Sequence, residues 1–360
     1  MKIFSSSLRN ITKRLLLAVV CFSVVSAPTW AAEKPSFRLA WSIYVGWVPW
    51  DYGNNAGIID KWADKYGIEI DVVQVNDYIE SINQYTAGSF DAVVMTNMDA
   101  LTIPAASGVD STALIVGDFS NGNDGVVLKN ASALADIKGQ RVNLVELSVS
   151  HYLLARGLET VDMTERDVTV VNTADADMVS AFVTDDVTAV TTWNPLLAEI
   201  NKMPNSNVVF DSSQIPGEII DLLVVNSEIL SQFPELGKAL TGAWYEIMGQ
   251  MLQDDEVGLK ALNFMAASAG TDLAGYKDQL ASTKMFYQPS EAVAFTESAT
   301  LKDTMAKVAE FSFKHGLLGE GAPDAGFIGI ETPAGVYGDE SNITLRFDAS
   351  FMQMAADGEL

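Results

Sequence analysis

The sequence predicts an α/β protein of two lobes, each built on parallel βαβ units, with a ligand cleft between them and a helical C-terminal segment. Three observations carry this. Short apolar runs alternate with amphipathic helices at βαβ spacing, first over residues 36–116 and again over 125–225. A Ser-, Asn-, Gly- and Asp-containing stretch, Asp118 to Gly125, separates the two series. From Ser227 onward the pattern is mostly helical.

In the first series, Ser36 to Ala40 reads as a strand, followed by an aromatic loop, WSIYVGWVPW, over 41–50. Asn54 to Tyr66 has helical spacing, with Ile58, Ile59, Trp62 and Ala63 on one face and Gly67 as the stop. Ile68 to Val75 alternates as a strand and Tyr78 to Ala87 is a helix ending at Gly88. Phe90 to Met95 is an apolar strand, Asp99 to Ala106 a helix, and Thr112 to Val116 the next strand. The second series has strands at 125–128, 141–144, 168–171, 189–192 and 208–210, with helices over 131–136, 150–159, 174–183 and 195–201. Ile219 to Val225 returns toward the first lobe, and helices follow over 235–253, 256–267, 271–281, 291–297 and 301–315. The Gly- and Pro-rich, then acidic, tail after Gly316 has no readable pattern. The expected organisation is lobe 1 from 32–122 plus 226–360, and lobe 2 from 123–225.

Residues 1–31 read as a cleaved secretory leader. Lys2, Arg9, Lys13 and Arg14 form a basic start, Leu15 to Val25 is an apolar run of secretory length, and Thr29-Trp30-Ala31 offers a small-x-small cut. The run is shorter than the roughly 20 apolar residues that span a bilayer. The sole cysteine, Cys21, lies inside it, preceded by Val20 rather than the small residue a lipid-attachment site wants. The exported chain then has no thiol nucleophile and no disulfide. Two histidines and no thiolate give no reason to expect a metal site, and no cofactor is expected.

Four of the 22 basic residues fall in the leader, so the exported chain carries 18 against 47 acidic residues, a net charge near −29. That balance argues against nucleic acid and anionic lipid as partners. No phosphate-binding glycine loop, nucleophile elbow or zinc-protease helix occurs, so the chain is not expected to be an enzyme.

The stretch Asn83 to Ala92, NQYTAGSFDA, resembles a signature of binding proteins in the nitrate/sulfonate/taurine (NitT/TauT) class of ABC transporters. Further segments fit the same class in the same order: Ser120 to Gly125, Leu134 to Val142, and Ala181 to Ala189. In the last of these Asp185 and Thr188 stand where the class usually has Gly and Asp. The resemblance spans about Phe37 to Phe233. The aromatic loop and Gln214 to Asp221 are similar to a narrower branch, labelled a urea or guanidine transporter binding component. The resemblance implies a type II periplasmic-binding fold, with two Rossmann-like lobes closing on a small ligand. It also implies a periplasmic location, action as a monomer, and an inner-membrane ABC permease as partner.

Urea and guanidinium are small and planar, wanting a π face and edge hydrogen bonds. Guanidinium also wants carboxylates, which its paired N–H groups match, and an aromatic face adds about 0.5–2 kcal/mol of cation–π attraction. Candidate contacts lie where open α/β sheets bind ligands, beyond strand C-termini. Trp41 and Trp47 either stack on ligand or pack the lobe. Asp51 either meets ligand or caps the helix near Asn54. Asn97 follows the strand ending at Met95. Asp124 lies at the crossover. Glu146 follows Leu144, where a carboxylate would repel an anion and attract a cation. Ser148 donates to ligand there, and His151 is either a contact or a first-turn surface residue. Trp193 and Asn194 follow the strand ending at Thr192. Asp221, amid Ile219, Ile220, Leu222 and Leu223, is costly to bury without a cationic partner, either the ligand or an arginine such as Arg38 or Arg141. An anion such as taurine, another sulfonate or nitrate is the alternative ligand.

Overall fold

Among residues 34–360, which the computed structural model describes, the chain folds around two β-sheets. The leader and Cys21 lie outside the described residues. No helix among the described residues is long and apolar enough to cross a membrane.

Strands β1 (Ser36–Trp41), β2 (Glu69–Gln74) and β3 (Ala92–Thr96) alternate with helices α1 (Val48–Asn55), α2 (Ile58–Tyr66) and α3 (Tyr78–Thr86). The short α4 (Asn97–Ala100) runs into a wide π-type turn, Leu101–Ala105, that holds Pro104. Next come β4 (Ser111–Ser120), β5 (Asp124–Lys129), β6 (Arg141–Leu144), α5 (Val149–Glu159), β7 (Thr169–Asn172) and α6 (Asp175–Val183). They are followed by β8 (Ala189–Trp193), α7 (Leu196–Asn201), β9 (Ser206–Asp211) and β10 (Ile220–Asn226). Helices α8 (Ser227–Gln232), α9 (Pro234–Met251), α10 (Glu256–Ser268) and α11 (Leu273–Ala281) precede β11 (Thr283–Met285). The chain ends with α12 (Pro289–Thr296), α13 (Ala299–Lys314), β12 (Gly329–Thr332), β13 (Gly335–Tyr337), β14 (Ile343–Phe347) and α14 (Ser350–Asp357).

The larger sheet has nine strands, ordered β13-β12-β14-β4-β10-β3-β1-β2 with β11 added on β4; the smaller has five, ordered β7-β6-β8-β5-β9. Pairings β1–β2, β1–β3, β6–β7 and β6–β8 are parallel, as the βαβ rhythm predicts. The returning β10 instead lies antiparallel between β3 and β4. Its continuous apolar run is buried, as is that of β3, because both have neighbours on each side and covered faces.

Three expectations change. The aromatic loop ends in a helix, α1, opened by Pro49 in its first turn, and Gly57 at φ +72° breaks this from α2. The crossover is shorter than its composition suggests: β4 continues through Asp118 to Ser120, because β10 pairs with it to Phe119 and β11 to Ser120. The unreadable tail supplies β12, β13 and β14, which extend the larger sheet along β4. Its strands are short and half-buried, so their apolar periodicity is weak.

Candidate functional site: a carboxylate cage between the sheets

The C-terminal ends of β1, β3 and β8 converge with the start of β10 on a cavity of about 280 Å³. It is lined by Tyr44, Trp47, Tyr78, Thr96, Asp124, Val149, Trp193, Ile219 and Asp221, every one of them buried. A second void behind Trp47 and Asp221 brings in Asp118. Only about 10 Å³ of this space is open to the centre of a water molecule, about the room of a single water, so its lining side chains are closely packed. No lysine or arginine lines either void.

The strand registers set the acids. Asp118 on β4 and Asp221 on β10 are cross-strand partners, and Asp221 also faces Thr96 on β3. From the other sheet, Asp124 opens β5 directly opposite Trp193 on β8. Tyr44 donates its hydroxyl to Asp118 Oδ1 at 2.9 Å, and Ser120 donates to Asp124 Oδ2 at 2.5 Å. Asp118 and Asp221 share a hydrogen bond between their carboxyls; beyond it, Asp118 Oδ2 and Asp221 Oδ2 have no protein partner, and neither does the indole Nε1 of Trp47.

Burial drives the protonation of these acids. It pushes the Asp118 and Asp124 carboxyls up to about 7, against the hydrogen bonds of Asp118 with Asp221 and Tyr44 and of Asp124 with Ser120. Asp221 is held well above the carboxylate range by burial, and then by the charge of Asp118. Asp99 forms the layer behind, pushed up to about 6 by burial while accepting from Tyr78 Oη at 2.6 Å and Thr96 Oγ1 at 2.8 Å. Near neutral pH the cage therefore holds buried carboxyls that retain protons.

Four aromatic rings wall the cage in sequence. Tyr44 meets Trp47 edge-on at 4.9 Å between centroids, Trp47 meets Tyr78 at 5.5 Å, and Tyr78 meets Trp193 edge-on at 5.8 Å. Trp193 Nε1 donates to Ile43 O at 3.3 Å, tying the smaller sheet to the loop after β1. Gly46 makes the loop's close approach possible: a Cβ there would sit 2.5 Å from the Tyr44 ring and 2.7 Å from Asp118 Oδ2.

Of the residues expected from the sequence, Trp47, Asp124, Trp193 and Asp221 line the cage. No arginine reaches Asp221: Arg38 serves Ser89 O and the carboxylate of Asp71. The structure does not bring the others there. Trp41 ends a strand flanked by β2 and β3 and is packed in the main core. Asp51 sits within α1 and accepts from Ser268 Oγ at 2.7 Å. Asn97 spends its amide on Glu218 O and Ile220 N, fastening α4 to β10. Ser148 is the N-cap of α5, accepting from Ser150 N and donating to Val145 O. Asn194 is likewise a cap, accepting from Ala198 N at 2.9 Å.

Glu146 is exposed, because Leu147 turns at φ +64° and directs the loop outward before Ser148 caps α5. It lies in an outer groove with Asp77, Glu80 and Asp175, on the far side of Tyr78 from the cage. The buried acids of the cage are instead Asp118, Asp124 and Asp221. His151 is buried, not on the surface, and faces Glu165 rather than the cage.

Sequence reasoning missed Tyr78, Thr96 and Asp118 and did not single out Tyr44. Asp118 ends the apolar run Ala113 to Gly117, an acid in a strand-like context, and that was its one legible signal.

Residues 64–256 match the family described as NMT1/THI5 like. The chain belongs to the NMT1/THI5-like family. Over 150 residues it is 24% identical to the taurine-binding periplasmic protein of Escherichia coli, a match covering 41% of this chain and 46% of that protein. The chain thus aligns with about half the length of that curated relative. Among solved structures, it resembles the alkanesulfonate-binding protein of Xanthomonas axonopodis pv. citri bound to MOPS. That match has 16% identity and a TM-score of 0.65, covering 81% of this chain and 96% of that one. The aliphatic sulphonate binding protein of Escherichia coli gives 15% identity and a TM-score of 0.64, covering 80% and 95%. The nitrate-binding protein of Synechocystis gives 13% and 0.57, covering 91% and 99%. This NMT1/THI5-like chain therefore has the periplasmic-binding-protein fold.

Proposed function

We propose that this chain is the extracytoplasmic solute-binding component of an ABC transporter, carrying a small planar nitrogen cation, guanidinium or a close analogue, to an inner-membrane permease. In this reading the two sheets are the cores of two lobes, 32–122 with 226–360 and 123–225, which part to admit ligand. The observation that carries it is the cage: three buried carboxyls, Asp118 and Asp221 facing each other across the strands and Asp124 beside them, inside an aromatic wall and without a basic side chain.

A guanidinium ion would replace the protons held by Asp118, Asp124 and Asp221, pairing its N–H groups with their oxygens. One or more of Tyr44, Trp47, Tyr78 and Trp193 would cover its faces. Urea is the nearest competitor, since a carboxyl that keeps its proton could donate to the urea oxygen while its neighbour accepts. Proton release distinguishes them: guanidinium expels protons on binding and urea does not.

The taurine-binding relative favours a second reading, an anion ligand. Placing a sulfonate among three acids would require all of them to stay protonated and would still supply no cationic partner. Catalysis on this fold is the remote alternative, without a nucleophile or cofactor cradle in the cage to support it.

The test is thermal melting of the exported chain at pH 7.5 with guanidinium, urea, taurine or nitrate at low millimolar concentration. A ligand at about 100 times its Kd stabilises by about 2.7 kcal/mol. A rise with guanidinium supports the proposal. A rise with urea alone means a neutral ligand, and one with taurine or nitrate overturns the cation reading. No rise with any of the four rejects this ligand class.

A further inference from the structure

We infer that His151, Glu165 and His315 form a binding site for a divalent ion of the zinc class, separate from the cage, that clamps α5 to α13. The chain has only two histidines, and the fold brings them together: His151 on the first turn of α5, His315 capping α13, ring centroids 5.4 Å apart. Glu165, just before β7, lies between them. Its Oε1 meets His151 Nε2, and its Oε2 meets His315 Nε2 at 2.6 Å. Candidate ligand atoms of all three residues lie within 4.8 Å of one another. A count of two histidines without a thiolate argued against a metal, and it could not show that the fold brings both imidazoles, far apart along the chain, to one carboxylate.

The donor set is two imidazoles and one carboxylate, which suits zinc and its neighbours rather than magnesium or calcium. Two of the three ligands are already aimed. His315 Nδ1 lies 2.8 Å from Phe311 O, the backbone contact that fixes a metal-binding histidine with Nε2 forward. Glu165 stands between the two rings, with one carboxylate oxygen toward each Nε2. His151 requires one adjustment. Leu147 N–H donates to its Nδ1 at 3.1 Å, so the ring hydrogen is on Nε2; ligation through Nε2 moves that hydrogen to Nδ1 and releases the Leu147 contact. Leu147 is exposed and at φ +64°, in a turn with room to rotate.

The site is reachable. The side chain of His151 is 6% exposed, but those of His315 and Glu165 are 19% and 29% exposed and open onto the groove between α5 and α13. A fourth coordination position would open on the groove side. A metal on His315 Nε2 would take the place of the proton shared with Glu165.

The probe is zinc chloride alone, added to the full exported chain labelled with ¹⁵N in its two histidines. The expected result is one saturable zinc per chain with proton release, both imidazole signals shifted, and a higher melting temperature. Glu165→Gln and His315→Ala should each weaken uptake by at least about tenfold, with metal-free circular dichroism reporting their folding. A zinc anomalous-scattering peak should lie about 2.0–2.2 Å from the three ligand atoms. This wild-type measurement decides the matter even if a variant fails to fold. Uptake undiminished in both variants, only one imidazole shifting, a peak elsewhere among the surface acids, or no saturable uptake would each overturn the inference.

Discussion

Asp124→Asn should make the ligand-free protein more stable above neutral pH while weakening its binding. Burial raises the Asp124 carboxyl from an ordinary value near 3.8 to about 7. For an acid whose folded pKa is raised, ionisation is easier in the unfolded chain. Stability is therefore lost as pH rises from about 4 to about 7, and is flat above that. A shift of about three units at about 1.36 kcal/mol each gives a penalty approaching ~4 kcal/mol at pH 8. The asparagine keeps the Ser120 hydrogen bond through its amide oxygen and never ionises. It also removes a charge that raises Asp221. The variant should match the wild type within about 1 kcal/mol at pH 4.5 and exceed it by about 2–4 kcal/mol at pH 8, with a matching shift of the urea midpoint. Millimolar guanidinium should reverse the ranking at pH 8, because the cation stabilises the ionised cage only in the wild type. Urea titrations at pH 4.5, 6 and 8 read all of this. A variant no more stable than the wild type at pH 8, or a stability difference independent of pH, would refute the argument that Asp124 is a buried, unpaired acid.

Four further outcomes are expected. Guanidinium affinity, followed by calorimetry, should fall as pH drops from 8 to 5, since protons on Asp118, Asp124 and Asp221 compete with the cation; constant affinity would mean those acids do not touch it. Trp47→Ala should weaken binding at least tenfold, about 1.4 kcal/mol, whereas Glu146→Gln, exposed and across Tyr78 from the cage, should change it less than about threefold. Glu218→Gln should cost about 1–3 kcal/mol of stability in denaturant titration, because this buried carboxylate accepts from Tyr152 at 2.6 Å and holds Arg156 and Lys307 at 2.9 Å. The His315 imidazole is raised above 6.5 chiefly by its hydrogen bond to Glu165. Its contribution is complete below pH 6.5 and lost as pH rises through the raised value; Glu165→Gln should flatten that part of a stability–pH curve measured without metal.

Much of the fold was legible because apolar periodicity reports local structure directly. The run Ala92 to Met95 and the series around Val142 and Val190 could only be buried strands. The helix expected from Tyr78 begins there, capped by Asp77, whereas the one expected from Ser150 begins at Val149 because Ser148 is its cap. The tail was not legible because its strands are short and half-buried, and only their pairing to β4 makes them a sheet. Within the site, Trp47, Asp124, Trp193 and Asp221 were visible as aromatic and acidic residues at strand ends. Glu146 was misplaced by the same rule: a strand-end acid can face either side of its loop, and a left-handed Leu147 decides which.

The sequence by itself determined the alternation of strands and helices, the aromatic segment after the first strand, and the presence of acids in apolar surroundings. The tertiary structure alone decided which acids meet. Asp118 and Asp221 become neighbours through the antiparallel pairing of β4 with β10, and Asp124 joins them from another sheet. The same folding keeps Trp41 and Asn97 out of the cage and joins two distant histidines to one glutamate. Side-chain periodicity fixes only the face a residue occupies on its own element. Convergence between elements depends on strand register and loop direction, which no local stretch encodes.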